Sequence, residues 1–144
     1  MGRMFPLAGL LRLRQIQEEQ AASDLAVANA RSREIRSRQS RARDSLGTSS
    51  AEAASSTVLY AVAAARASSR SMLAELDALD CEHQPVLDEA NEAFAQARAR
   101  SIGLEKLADR HQVKQTEEEL HAEQAAIDEM ASTGWHRNKE GETP

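Results

Sequence analysis

The sequence predicts an all-α protein, an antiparallel two-helix coiled-coil hairpin. The stretch from Leu104 to Ala131 has no Gly or Pro, and most of its residues lose little side-chain freedom in a helix. Its apolar residues form a narrow row in which Val113, Leu120 and Ile127 are seven positions apart, which is typical of a coiled-coil seam. The chain has only 6 Gly and 3 Pro, too few turn residues for a sheet-rich fold.

The composition favours helix pairing over a compact core. Aromatic residues make up 3% of the 144 residues, and much of the 41% hydrophobic content is Ala, which has little surface to bury. We therefore expect residues 1–144 to form a single elongated helical hairpin.

Three features predict a cytoplasmic protein. A single Cys excludes an internal disulfide framework and fits a reducing compartment. The apolar run from Leu7 to Leu11 is too short for the core of a secretory signal. No stretch approaches the roughly 20 apolar residues that a membrane span needs.

The first helix, helix A, is predicted over about residues 5–46. Pro6 suits a first helical turn, where its missing N–H costs nothing, and Gly47 is placed to end the helix. Between them a seam alternates steps of four and three positions, and most of its residues are apolar. The seam consists of Leu7, Leu11, Arg14, Glu18, Ala21, Leu25, Ala28, Ser32, Ile35, Gln39, Ala42 and Leu46.

The second helix, helix B, is predicted over about residues 72–132, after an Ala/Ser-rich tip at residues 47–71 that has room for a short third helix. Pro85 should kink helix B, and residues 134–144 are expected to be a disordered tail. Its seam is predicted at Leu73, Leu76, Leu87, Ala90, Phe94, Ala97, Leu104 and Ala108. After Ala108 we expect a stutter that shifts the seam to the row that starts at Val113.

Charge indicates where the hairpin turns. Helix A carries six Arg between residues 31 and 43, and helix B carries seven acidic residues between residues 75 and 92. If these clusters lie side by side in an antiparallel pair, the turn is centred near residue 60 and Ser37 lies close to Glu82. Exposed ion pairs stabilise little, but like-charge pairs are penalised, so charge sets the register. The end of helix B then extends beyond helix A.

The sequence contains no constellation that would predict an enzyme. A phosphate-binding Gly-rich loop, a nucleophile elbow and paired Cys motifs are all missing. Cys81 and His83 are two positions apart, which points them to different faces of a helix and argues against a metal site. His111 and His121 are interpreted as solvated. We therefore predict no catalytic, cofactor-binding or metal-binding residues and no cofactor.

Six Arg within thirteen residues raise the alternative of a nucleic-acid-binding helical hairpin, because Arg neutralises phosphates. No aromatic residue is interleaved with them, the chain has a net charge of -5, and helix B offers an acidic partner. We therefore expect no nucleic-acid partner.

Two segments resemble the FliJ family of flagellar export proteins. The opening FPLAGLLRLRQIQEEQAASDLAVA is similar to the family's start, an aromatic residue, a leucine pair and then Leu-Arg before a charged helix. The segments LEKLADRH and EEELHAEQAAIDEMA resemble its C-terminal pattern. The matching positions there are Leu104, Glu105, Lys106, Leu107, Arg110, Glu123, Gln124, Asp128, Glu129 and Ala131.

The resemblance implies a non-enzymatic component of the flagellar type III export apparatus, with a role in bacterial flagellum biogenesis and motility. Members form a coiled-coil hairpin similar to the gamma stalk of rotary ATP synthases. They bind the export ATPase ring, contact the export gate protein and escort export chaperones, so peripheral association with the cell membrane is implied. The alternative is a structural or adaptor coiled coil of another system, including an injectisome stalk.

Protein-binding residues are expected at the open end of the hairpin, near the start of helix A and in the second half of helix B. The candidates are Phe5, Leu7, Leu10, Leu11, Leu13, Leu107, Arg110, Leu120, Gln124, Ile127, Asp128 and Glu129. The alternative is that the apolar candidates pack between the two helices and that the polar ones are solvated. We expect the part of helix B from about Glu117 to Ala131 to meet another protein.

Overall fold

The structure is a computed structural model that describes residues 4–48 and 55–140. These residues form two helices, α1 (Ala8–Thr48) and α2 (Ser56–Glu140), and contain no strand. The predicted all-α hairpin class is confirmed.

Helix α1 starts as the sequence suggests and continues slightly further than predicted. The carbonyl of Phe5 accepts a hydrogen bond from the N–H of Ala8 at 3.1 Å, so Pro6 lies in the turn just before the helix. Gly47 lies inside the last turn and does not end the helix. It has no positive φ, the conformation that a glycine at a helix C-terminus usually supplies. Thr48 Oγ1 donates to the carbonyl of Asp44 at 3.0 Å and closes the last turn.

Helix α2 begins at Ser56, so the prediction that helix B starts near residue 72 is wrong. Residues 56–71 belong to α2 and form no separate third helix. Ala is the strongest helix former and this segment has no Gly or Pro, so propensity alone favours the helix. Ser55 caps it, since its Oγ accepts a hydrogen bond from the N–H of Val58 at 3.4 Å. The rest of the predicted tip, residues 49–54, lies outside the described residues.

Helix α2 also continues through Pro85 and ends at Glu140, beyond the predicted end at residue 132. An exposed proline removes one backbone hydrogen bond, which a long helix with packed neighbours tolerates. Gly134 does not end the helix, because a single helical glycine costs only about 1 kcal/mol. The expected disordered tail is therefore wrong for residues 134–140, and residues 141–144 lie outside the described part.

The chain divides into two compact units. Unit 1 comprises residues 1–15 and 99–144, and unit 2 comprises residues 16–98. In unit 2, Arg98 binds Glu18 at 2.6 Å and Gln39 Nε2 donates to Asp77 at 2.9 Å. The α2 partner number falls as the α1 number rises, so these helices are antiparallel.

Charge predicted both the antiparallel arrangement and its register, since the pairs Glu18–Arg98 and Gln39–Asp77 are each centred on residue 58, close to the predicted 60. The connection itself lies earlier than predicted, between Thr48 and Ser56. Arg43 lies 4.0 Å from Asp77 on the opposite helix. Arg31 and Arg38, however, both pair with Glu34 on their own helix, at 2.9 and 3.0 Å. Ion pairs within α1, between residues three or four positions apart, thus compete with the expected ion pairs between the helices.

The predicted seam is confirmed except at its first residue, Leu7, which is 40% exposed. All α1 seam residues from Leu11 to Leu46 and all eight predicted α2 seam residues are buried or half-buried. Three buried residues in the described part of the chain are polar, Ser32, Gln39 and Ser101. Small and polar side chains therefore share the interior with Ile35 and Leu76, which makes the seam thin.

The stutter expected after Ala108 is wrong. The alternation of four and three continues through His111 and Gln115, which are half-buried, while Val113 is 58% exposed. The reason lies in unit 1, where the ring of Phe5 packs on the ring of His111 with centroids 5.6 Å apart. His111 is therefore a packing residue and not the solvated histidine that the sequence suggested.

Candidate functional site

All twelve candidate residues lie in unit 1, and the structure separates them into packing residues and exposed residues. Phe5 and Leu11 are half-buried, and Phe5 contacts His111. Their side chains attach the start of α1 to α2 and are not free for a partner.

Three other leucines at the start of α1 are partly exposed. Leu7, Leu10 and Leu13 have exposed fractions of 40%, 38% and 48%. On α2, Leu107 is 45% exposed. Leu10 and Leu107 each precede a half-buried seam residue, and such positions lie on the same flank of an antiparallel coiled coil. We call Leu7, Leu10, Leu13 and Leu107 the leucine patch.

The second surface is the far part of α2. Every residue from 116 to 135 is exposed, although the sequence there has the same helical character as the packed part. The row Val113, Leu120 and Ile127 is 57–61% exposed, and Met130 beside it is 67% exposed. We call Val113, Leu120, Ile127 and Met130 the distal apolar row.

The distal apolar row has acidic surroundings. Residues 115–135 contain six acidic residues and no Lys or Arg. The polar candidates lie there on the surface, where Gln124 Nε2 donates to Asp128 Oδ1 at 3.4 Å. Glu117, Leu120, His121 and Gln124 line a shallow depression. A complementary surface would need an apolar groove with basic residues at its edge.

Two members of the distal apolar row, Val113 and Met130, are not among the twelve candidates, although both lie in the second half of helix B, where protein-binding residues were expected. Val113 was assigned to a shifted seam, yet it is one of the more exposed apolar residues of α2. The available signal was its position seven residues before Leu120, which places both on one helix face. Arg110, a predicted candidate, is exposed between Leu107 and the row.

The His and Cys residues that could have suggested a metal site do not form one in the described part of the chain. His83 Nε2 donates to the carbonyl of Ala28 at 2.8 Å, so its ring joins the two helices of unit 2. Cys81 is a free, exposed thiol. Residues 4–48 and 55–140 hold no group of three or more His, Cys, Asp or Glu side chains that could bind a metal ion.

The Arg-rich segment is partly engaged within unit 2. Arg31 and Arg38 bind Glu34, and Arg43 approaches Asp77. A nucleic acid would have to compete with these carboxylates. In the described part of the chain, neither helix has a stretch long and apolar enough to cross a membrane.

A family model described as Flagellar FliJ protein matches residues 4–140, which include both the leucine patch and the distal apolar row. No curated protein and no solved structure matches the chain.

Proposed function

This chain belongs to the FliJ family of flagellar proteins, a non-catalytic family of flagellar protein export, and from that premise we propose that it is the stalk that binds the ring of the export ATPase. We further propose that it escorts export chaperones to the export gate protein. The chain would supply binding energy, and hydrolysis of ATP would belong to the ATPase.

The observation that supports the proposal best is the distal apolar row. Its side chains are exposed along a helix that carries six acidic residues and no Lys or Arg between residues 115 and 135. An exposed apolar stripe on a helix is a common feature of helices that insert into a groove of another protein. Leu120 and Ile127 would be the apolar anchors, and Glu123, Asp128 and Glu129 would face basic residues of the ring.

Ring assembly follows from this arrangement by mass action. A helix that contacts more than one ATPase subunit binds the assembled ring better than the free subunit and therefore shifts the equilibrium towards the ring. Attraction between an acidic helix and a basic groove would also speed association at low ionic strength. Binding should accordingly weaken as salt is added.

Escort of chaperones needs a surface that stays accessible while the distal apolar row is occupied. The leucine patch meets this requirement, since its four side chains are 38–48% exposed. Leucines that project from a two-helix surface suit the apolar face of a helical partner. We assign the leucine patch to chaperone or gate contacts and the distal apolar row to the ATPase.

The test is a pull-down of the flagellar export ATPase with the full chain, combined with a measurement of its ATP turnover. Leu120→Asp should abolish capture and stimulation, because a carboxylate replaces an anchor in an apolar contact. Leu59→Asp is the matched control, since Leu59 is 49% exposed at the start of α2 in unit 2. It should behave like the unchanged chain.

Two results would contradict the proposal. One is failure of the unchanged chain to bind or stimulate the ATPase. The other is equal loss of binding in Leu120→Asp and Leu59→Asp. Capture of an injectisome ATPase in place of the flagellar one would favour the alternative of a stalk in that system.

A further inference from the structure

Unit 2 carries a continuous open groove along one face of its helix pair. Three depressions follow one another between α1 and α2. The middle depression shares Arg31, His83 and Val86 with the depression that extends to Ala93. It shares Leu79 with the depression that extends to Met72. The shared lining residues make them one groove, which extends along α2 from Met72 to Ala93.

The α2 side of the groove floor is an apolar row that nothing in unit 2 covers. Met72, Leu79, Val86 and Ala93 are seven positions apart, and the first three are 52%, 37% and 53% exposed. Positions beside a coiled-coil seam usually carry charged side chains. Four successive apolar residues there point to a further interaction of this face.

The two edges of the groove carry opposite charge. On α1, Arg31, Arg38 and Arg41 line it over the Arg-rich segment, and Asp24 lines its end near Ala93. On α2, Glu75, Glu82 and Glu89 line it at seven-residue spacing. Residues 72–93 contain seven acidic residues and no Lys or Arg. Over the Arg-rich segment, an occupant must therefore be apolar along its middle, acidic over α1 and basic over α2.

We propose that the occupant is the same face of a second copy of this chain, related by a two-fold axis that runs parallel to the helices. Such an axis lays α1 of one copy over α2 of the other at the same level. Arg31 then faces the second copy's Glu82, and Arg38 faces the second copy's Glu75. The two apolar rows meet along the axis. This inference does not depend on the proposed function.

Charge decides between this arrangement and the other face-to-face dimer. A two-fold axis across the helices would stack the Arg segment on the Arg segment and the acidic segment on the acidic segment. Juxtaposed like charges cost several kcal/mol at an interface. Arg31 and Arg38 already pair with Glu34 at 2.9 and 3.0 Å, but these pairs are exposed and are easily shared with a second acceptor.

The size of the face fits a reversible dimer. The 21 steps from Met72 to Ala93 span about 32 Å, and two helices side by side are about 20 Å wide. Such a face buries on the order of 600 Å² per copy, or about 1,200 Å² in total, at the lower limit for specific interfaces. We expect a micromolar dissociation constant.

Analytical ultracentrifugation of the full chain, from low micromolar to submillimolar concentration, tests the dimer. The unchanged chain should dimerise, and Val86→Asp should stay monomeric because the charge would lie on the dimer axis. Leu120→Asp in unit 1 is the control and should dimerise normally. Circular dichroism should show equal helix content in all three. A chain that is monomeric at every concentration, or a dimer unaffected by Val86→Asp, would overturn the proposal.

A charge exchange tests whether the edges pair between copies. Arg38→Glu and Glu75→Arg should each weaken self-association about tenfold, since each homodimer places like charges opposite one another. A mixture of the two variants should dimerise, because both contacts between the copies again join opposite charges. If the mixture stays monomeric while the unchanged chain dimerises, the proposed pairing is wrong.

The direction of the axis can be tested by cross-linking in a Cys81→Ser background. The parallel axis brings the two copies of residue 79 together, so Leu79→Cys should oxidise to a disulfide-linked dimer. With the axis across the helices, Leu79→Cys would link only to Val86→Cys of the second copy. Observation of that second pattern would overturn the parallel arrangement.

Discussion

Two isoleucines illustrate the difference between two regions of this protein. Ile35 in unit 2 is 2% exposed, whereas Ile127 in unit 1 is 57% exposed. Both lie within long helices and both belong to rows that repeat at coiled-coil spacing. The first row is covered by the opposite helix, and the second lies beyond the residues that α1 covers.

The comparison separates helix formation from burial. Helix propensity is sufficient to extend α2 to Glu140, but a row of apolar side chains contributes to folding only where a second surface excludes water from it. The exposed area at Ile127 is not removed from water within this chain and therefore contributes little to its stability. The same spacing thus marks a core in one region and, in the other, an exposed surface that we propose binds the ATPase.

The largest expected effect comes from making the same change in both regions. Ile35→Ala should lower the free energy of unfolding by about 2–4 kcal/mol, because it removes buried methyl groups and leaves a cavity. Ile127→Ala should change it by less than about 0.5 kcal/mol. Urea unfolding followed by circular dichroism measures both. Similar losses in the two variants would show that the distal apolar row is covered within the chain.

A smaller gain is expected at Pro85, which lies exposed in the middle of α2. Pro85→Ala supplies the missing N–H and removes the ring from the preceding turn, so the free energy of unfolding should rise by about 2 kcal/mol. Thermal unfolding would show this as a higher midpoint. An unchanged midpoint would mean that the helix is already relaxed around the proline.

The smallest effect is expected at Gly103 in unit 1. A Cβ added there meets no atom within 4 Å, and the residue is helical, so Gly103→Ala should raise the free energy of unfolding by about 1 kcal/mol. Gly134→Ala is the matched control near the end of α2, where the added Cβ is equally unhindered. It should have less effect, since helix ends fray. Equal gains would indicate that the distal part of α2 folds as firmly as the part packed on α1.

The sequence predicted the all-α hairpin and its seam because both depend on spacing. The alternation of four and three positions identifies Ala28, Ile35 and Leu76 as interior residues whatever the exact ends of the helices. The ends were less predictable. The start at Ser56 depends on the Ser55 cap and on Ala-rich helix propensity, and these local terms are small.

The candidate site was only partly predictable. The spacing of Leu120 and Ile127 was visible, but spacing alone does not show which helix face lacks a partner. Val113 was predicted to belong to the seam but is exposed, because the contact of Phe5 with His111 keeps His111 in the seam. The apolar row that contains Met72 and Val86 was not predicted for the same reason. From sequence alone, a second apolar row beside a seam cannot be distinguished from additional core residues, and only its exposure identifies it as a surface.

Hydrogen–deuterium exchange of the full chain, with and without the export ATPase, tests the central claim most directly. Amides of residues 28–42 and 76–97 should be protected in both samples, because their side chains form the seam. Amides of residues 116–135 should exchange quickly in the free chain and slow by at least about tenfold when the ATPase is bound, since binding suppresses local opening. Fast exchange of residues 116–135 in both samples, with protection gained elsewhere, would contradict the account.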